Sequence, residues 1–301
     1  MINHSFPAAL LEYLQDVDAN ELLDRISKFR DLDFKRMGVQ EIYSSIKDVL
    51  LFEGPGRRER YIHLAYPHVL DIGSRFYRIR RLAPDDRNIP LRGIVSEADV
   101  WEAPAHVARA GRLNRDGEGL LYTSHDVHVA MEEMDVADGE VVPIIVYQAV
   151  EPITVLGIGD FPSEIVLPPE EKVKLRMIMD FVRHEFIREV GIGTEHFYKI
   201  SSTLATQFFG RPSAALPSGI TEGWNYPSVA RKGGTNTCFH PSLVKDKLNL
   251  QGFILASVKI VDRRYLVKPL SVAHGFDKKG NFIYHPTFGE VSKRIFPEIK
   301  R

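Results

Sequence analysis

The chain has 301 residues, 44% of them hydrophobic and 26% charged, with a mean hydropathy of -0.16. That composition excludes a disordered or fibrous protein and allows one large domain or two smaller ones. A net charge of -1 and a pI of about 6.8 give no global field toward nucleic acid or an anionic membrane, so neither is an expected partner.

The first 55 or so residues read as helices. Leu10, Leu11 and Leu14 form a short apolar stripe. Leu22, Leu23 and Ile26 form a second, behind an N-cap at Asp18 or Asn20. Ile42, Ile46, Val49 and Leu50 form a third, which stops at the breaker Gly-Pro-Gly from Gly54. Residues 1–55 are therefore expected to be an N-terminal helical extension, and 56–301 a separate domain.

From Phe76 the texture changes. FYRIRRL alternates as a strand does, LLYTS is a short apolar strand, and DVHVAMEEMDVA is a helix. VVPIIVYQAV and ITVLGIG are β-branched strand-like runs. EEKVKLRMIMDFVRHEFIREVG is the longest helix, expected to end at Gly191, and YKISSTLATQFFG is another. FILASVKIV and YLVKPLSV are strands. Helices and strands interleaved with long loops predict an α+β domain with a mixed, partly antiparallel sheet and flanking helices. The basic clusters around Arg57 and Arg80 are expected to be solvated faces.

Cys238 is the single cysteine, which rules out an internal disulfide and makes a cytoplasmic location the natural expectation. Lying in TNTCF, it reads as a small core residue. No apolar run reaches the ~20 residues of a membrane span, and the N-terminus turns acidic too early for a signal peptide. HEFIRE starts like a zinc-protease motif but has Arg188 four residues after His184. His125 and His128 share the expected helix at a spacing of three, and a capping or surface role is commoner for such a pair than a metal site. No metal is expected. GIGDF and GIGTEH lack the strand and helix of a dinucleotide loop, and no phosphate loop or nucleophile elbow is present.

What remains is GRLNRDGEGLLYTSHDVHVAMEEM, from Gly111 to Met134. Arg112, in a glycine-flanked loop, can hold a phosphate through two parallel hydrogen bonds. Tyr122 offers a flat ring with a polar tip. On the following helix Val127, Ala130, Met131, Met134 and Ala137 make an apolar face, with Glu133 at its edge and Glu132 nearly opposite. An edge carboxylate can be aimed at a cleft, so Glu133 is the better candidate of the two. The alternative is a solvated loop followed by an ordinary amphipathic helix.

This stretch resembles the core of the RES domain, a family named for arginine, glutamate and serine. Tyr122 stands ten residues after Arg112, and Glu133 eleven after Tyr122. Tyr77-Arg78-Ile79 resembles the family's earlier strand, and YKISSTLATQFF followed by NYPSVA places Ser228 at the name-giving serine. GGTNTCF places Asn236. The resemblance spans about Phe76 to Phe239. This chain departs from it with Leu113 in place of the usual aromatic and Trp224-Asn225 in place of Gly-Ile, and it has a longer span between Glu133 and Ser228.

The resemblance implies an ADP-ribosyltransferase-like fold for 56–301 and destruction of NAD+ by hydrolysis or phosphorolysis of its nicotinamide–ribose bond. NAD+ is then the substrate rather than a recycled cofactor. Glu133 would stabilise the ribosyl cation. Arg78 and Arg112 would hold the pyrophosphate, Tyr122 would stack on nicotinamide or its ribose, and Ser228 and Asn236 would hydrogen-bond the ligand. The expected partners are NAD+, an antitoxin or inhibitory protein, and a second copy of the chain, with residues 1–55 as a candidate restraining segment. Two alternatives stay open: an ADP-ribosyltransferase acting on a macromolecule, and a non-catalytic partner-binding module.

Overall fold

The computed structural model describes residues 5–54, 58–60, 66–83, 85–86, 88–159, 166–209 and 222–297. In chain order these form α1 (Ser5–Asp16), α2 (Ala19–Arg30), α3 (Val39–Leu50), β1 (Phe52–Gly54), β2 (Arg58–Arg60), β3 (Tyr66–Leu70) and β4 (Arg75–Ile79). Next come β5 (Leu121–Ser124), α4 (Val127–Glu133), β6 (Val141–Ala149), β7 (Ile153–Gly157), α5 (Pro169–Phe186) and α6 (Tyr198–Thr203). The last elements are β8 (Gly223–Pro227), β9 (Thr235–Phe239), α7 (Pro241–Val244), β10 (Leu248–Val261), β11 (Arg264–Phe276), β12 (Phe282–His285) and α8 (Glu290–Ile295). No helix among the described residues is long and apolar enough to cross a membrane.

The expected α+β class holds: the main sheet is open, mixed and mostly antiparallel, in the order β12-β11-β10-β6-β4-β5-β9-β8-β7-β3. Compactness divides the chain differently from 1–55 and 56–301. One unit comprises Met1–Pro67, Arg109–Asp116 and Leu156–Arg211; the other comprises His68–Ala108, Gly117–Val155 and Pro212–Arg301. The expected breaker at Pro55-Gly56 lies outside the described residues.

In the helical unit, Asp18 is the N-cap of α2, its carboxylate accepting from the amides of Asn20 and Glu21 at 2.9 Å each. Leu22, Ile26 and Phe29 are buried, whereas Leu23 of the expected stripe is exposed. Phe29 meets Phe181 of α5 edge to face at 5.3 Å. The α5 helix stops at Phe186, short of Gly191, with Ile187 as a C-cap outside helical geometry (φ -92°, ψ 10°). Helix α6 runs directly into a π-helical turn, Leu204–Phe208.

In the sheet unit, β10 and β11 make a long hairpin with apolar clusters on both faces. Phe76, Tyr147, Phe239 and Phe253 belong to one cluster; Ile79, Met131, Val146, Ile254 and Phe296 to the other. Gly252 sits where the β10–β6 register shifts. Its φ is +119°, and a Cβ there would come within 2.1 Å of the Ala273 carbonyl oxygen, so only glycine fits the bulge.

One feature of this sheet positions the site. Strands β4 and β5 are neighbours, yet their register pairs only Tyr77 with Ser124. Past that point β4 stays with β6, pairing Arg78 with Ile145 and Ile79 with Ile144. Over the same stretch Tyr122 and Thr123 of β5 pair with Cys238 and Thr237 of β9. The two strands part, and a cleft occupies the split.

Candidate functional site

The cleft has a volume of about 410 Å³ and lies within the sheet unit. One wall is the end of β4 and its continuation, Arg78 to Arg81. The other is Tyr122, Thr123 and Ser124 of β5 with Asn236 of β9 and Tyr226 of β8, and Glu133 of α4 closes one side.

The arginine wall carries charge that no carboxylate neutralises at ion-pair distance among the described residues. Arg78 donates through Nη1 to the carbonyls of Val100 and Trp101, and Arg80 through Nη1 to that of Asp99. Tyr147 donates its hydroxyl to the same Val100 carbonyl; burial pushes its pKa to about 12, keeping it a neutral donor. Arg81 donates through Nη2 to the carbonyls of Met134 (2.6 Å) and Asp135 (2.9 Å), at the C-terminal end of α4. Carbonyls aim the guanidinium groups without cancelling them. Burial, followed by repulsion from Arg78, lowers the pKa of Arg80, with Asp99 opposing. An anion entering the cleft relieves that repulsion.

Opposite stands an acid with one oxygen held. Glu133 Oε1 accepts from Ser228 Oγ at 2.5 Å, Asn236 Nδ2 at 2.7 Å and the Val229 amide at 3.1 Å. No described residue donates to Oε2. Ser228 and Asn236 are buried, while Glu133 is exposed to solvent at the cleft. Ser228 lies in the loop joining β8 to β9; its amide bonds to the Gly234 carbonyl at 2.8 Å, and its Oγ accepts from the Arg231 amide at 3.0 Å. A Cβ on Gly234 would lie 3.2 Å from that of Ser228 and 3.0 Å from Val129 Cγ2, so a glycine here lets the loop close onto α4.

Of the residues singled out from sequence, Arg78, Tyr122, Glu133 and Asn236 line the cleft, and Ser228 is bonded to Glu133. Arg112 is not among the residues that line the cleft. It belongs to the helical unit, where Nη1 and Nη2 donate to the carbonyls of Phe186 (2.8 Å) and Arg188 (2.9 Å) and its guanidinium lies 5.8 Å from the centre of the Tyr198 ring. Those carbonyls follow the end of α5, where a cation is favoured. Arg80 and Arg81, expected on a solvated face, line the cleft instead. Strand alternation was the available signal for Arg80, since residues two apart share a face.

The other expectations are adjusted in detail. Glu132 is not simply solvated: it is partly buried, with Arg231 Nη1 at 3.7 Å. Asp126 caps α4, so His125 precedes the helix and only His128 lies on it. Thr237 Oγ1 lies 2.7 Å from His125 Nε2 and donates to Asn225 Oδ1 at 3.1 Å. Cys238 is buried, with its thiol pKa pushed well up by burial. Among the described residues no cluster of side chains could hold a metal ion.

Burial lowers the pKa of His125, opposed by its contact with Asn225; burial and then repulsion from the stacked His285 lower that of His274. Both therefore take up a proton less readily folded than unfolded, where the ordinary value is 6.5. The stability this confers is present above that value and is lost as pH falls through the folded pKa values. The urea midpoint is expected to drop between pH 7.5 and 5.5, with a smaller drop for His125→Gln. Equal midpoints at the two pH values would remove the argument.

No family model, curated protein or solved structure matches the chain. The RES resemblance thus rests on the residues themselves.

Proposed function

We propose that the protein degrades NAD+ by breaking the bond between nicotinamide N1 and ribose C1′. The observation that carries this reading is the pairing, across one cleft, of an acid fixed through a single oxygen with guanidinium groups that, among the described residues, have no carboxylate at ion-pair distance. The dinucleotide has the complementary pattern: a doubly negative pyrophosphate, and a ribose that becomes positive as the bond breaks.

When the bond breaks, its electron pair passes to the pyridinium nitrogen and neutral nicotinamide departs. The positive charge left on the ribosyl ring is stabilised by Glu133, whose Oε2 is available for that contact. Water or phosphate then bonds to C1′. If water attacks, its surplus proton passes to Glu133 or to solvent. Arg78 and Arg80 take the pyrophosphate, with Arg80 in the place that the family resemblance gives to Arg112 beside Arg78. Tyr122 stacks on the nicotinamide end. Ser228 and Asn236 direct the carboxylate, each donating to Glu133 Oε1. NAD+ is consumed, so no separate cofactor is required.

The same reading includes an ADP-ribosyltransferase-like arrangement of the split sheet, a RES-type relationship and a growth-inhibiting role in the cytoplasm. Because uncontrolled activity would drain NAD+, an antitoxin or inhibitory partner is part of the proposal. The test is incubation of the purified protein with NAD+ labelled in the adenosine half. Free ADP-ribose or its 1″-phosphate supports the reading. Label attached to a macromolecule transfers it to the ADP-ribosyltransferase alternative, and intact NAD+ overturns it.

A further inference from the structure

An asparagine amide beside a carboxylate can present either of its ends, since NH2 and C=O have nearly the same shape. Packing alone does not choose between them; the hydrogen-bond partners on its two sides do. For Asn236, buried in β9, these are Glu133 Oε1 on one side and, on the other, Ser124 at the end of β5, itself buried. Ser124 Oγ lies 2.8 Å from Asn236 Oδ1 and 3.1 Å from the Thr235 carbonyl oxygen. A hydroxyl has one proton. If it goes to Asn236 Oδ1, the amide NH2 faces Glu133, as it does at 2.7 Å. If it goes to Thr235, Ser124 Oγ can accept from a reversed amide, which would turn a carbonyl oxygen onto Glu133 Oε1. That oxygen already accepts from Ser228 and Val229, so the reversed amide would set two acceptors against each other.

We propose that Ser124 is a positioning residue for the acid: its hydroxyl, donating to Asn236 Oδ1, braces the amide whose NH2 holds Glu133 at the split of the sheet. Ser124 lines the cleft but makes no hydrogen bond to Glu133, and its hydroxyl reaches the acid through Asn236. As a statement about catalysis this rests on the NAD+ reading; as a statement about the amide it does not.

The catalytic arm compares Ser124→Ala, Asn236→Ala and the double variant, each checked for an unchanged denaturation midpoint. Ser124→Ala is expected to lower kcat for NAD+ cleavage by about 10- to 100-fold with KM within about twofold, the scale of a misplaced catalytic group. In the Asn236→Ala background it should lower kcat no further. A residue that merely supported the fold would lower both backgrounds alike, and that result, or a wild-type kcat in Ser124→Ala, overturns the proposal. The second arm reads hydrogen exchange of the Asn236 side-chain amide by NMR and applies even if NAD+ proves not to be the substrate. Slow exchange in the wild type and at least tenfold faster exchange in Ser124→Ala supports the inference; equal exchange overturns it.

Discussion

Replacing Glu133 by glutamine is expected to lower NAD+ cleavage on the order of 10³-fold while leaving the denaturation midpoint nearly unchanged. The substitution keeps the shape and one carbonyl oxygen, so Ser228, Asn236 and the Val229 amide retain their acceptor. On the proposed NAD+ reading, what it removes is the negative charge opposite the ribosyl cation. The loss corresponds to roughly 4 kcal/mol of transition-state stabilisation, at ~1.4 kcal/mol per tenfold. KM should move little, because the ribose is neutral in the bound substrate and the interaction is made only as charge develops.

Glu132→Gln supplies the control, since its charged neighbour is Arg231 Nη1 at 3.7 Å and it does not line the cleft. Its turnover should stay within about twofold of wild type, as expected for a weakly coupled surface pair. The measurement is NAD+ consumption by matched amounts of purified protein. Wild-type turnover in Glu133→Gln, or equal losses in the two variants, would take the acid out of the chemistry.

Which parts of this arrangement could be read from sequence follows from how each is encoded. The α2 cap at Asp18 and the strands β4, β6, β10 and β11 carry local patterns, and those patterns survive in the structure. Strands β8 and β9 do not. Asn225, Asn236 and Thr237 break any apolar alternation. They are tolerated in mid-sheet because Ser124, His125 and Glu133 satisfy them from elsewhere in the chain.

The place of Glu133 at the cleft was legible from its position at the edge of the apolar helix face. That Ser228 and Asn236 bond it was not, because those contacts span 95 and 103 residues. Arg80 was within reach, since alternation carried one residue past the end of β4 puts it on the same side as Arg78. Arg112 shows the opposite case. A glycine-flanked arginine suits a phosphate, but it suits the end of a helix equally well, and no local signal announces that Phe186 lies beside it.

That last ambiguity yields the sharpest separation of sequence from structure. Arg78→Gln is expected to reduce kcat/KM for NAD+ by about 10²-fold, or roughly 2–3 kcal/mol, through the loss of charge-assisted bonds to the pyrophosphate. The loss should fall mainly on KM, because the pyrophosphate carries its charge in ground and transition state alike. Added salt should raise KM for the wild type more than for the variant. Arg112→Gln should behave differently. It gives up two bonds to the Phe186 and Arg188 carbonyls, and about 1.5–3 kcal/mol of stability with them. At a temperature where it remains folded, its kcat/KM should stay near wild type. Denaturant titration and initial rates on the same preparations measure both effects. If Arg112→Gln instead keeps its stability and loses activity, while Arg78→Gln leaves KM alone, the phosphate-binding arginine is the one in the GRLN loop. The split between β4 and β5 would then not be where the dinucleotide binds.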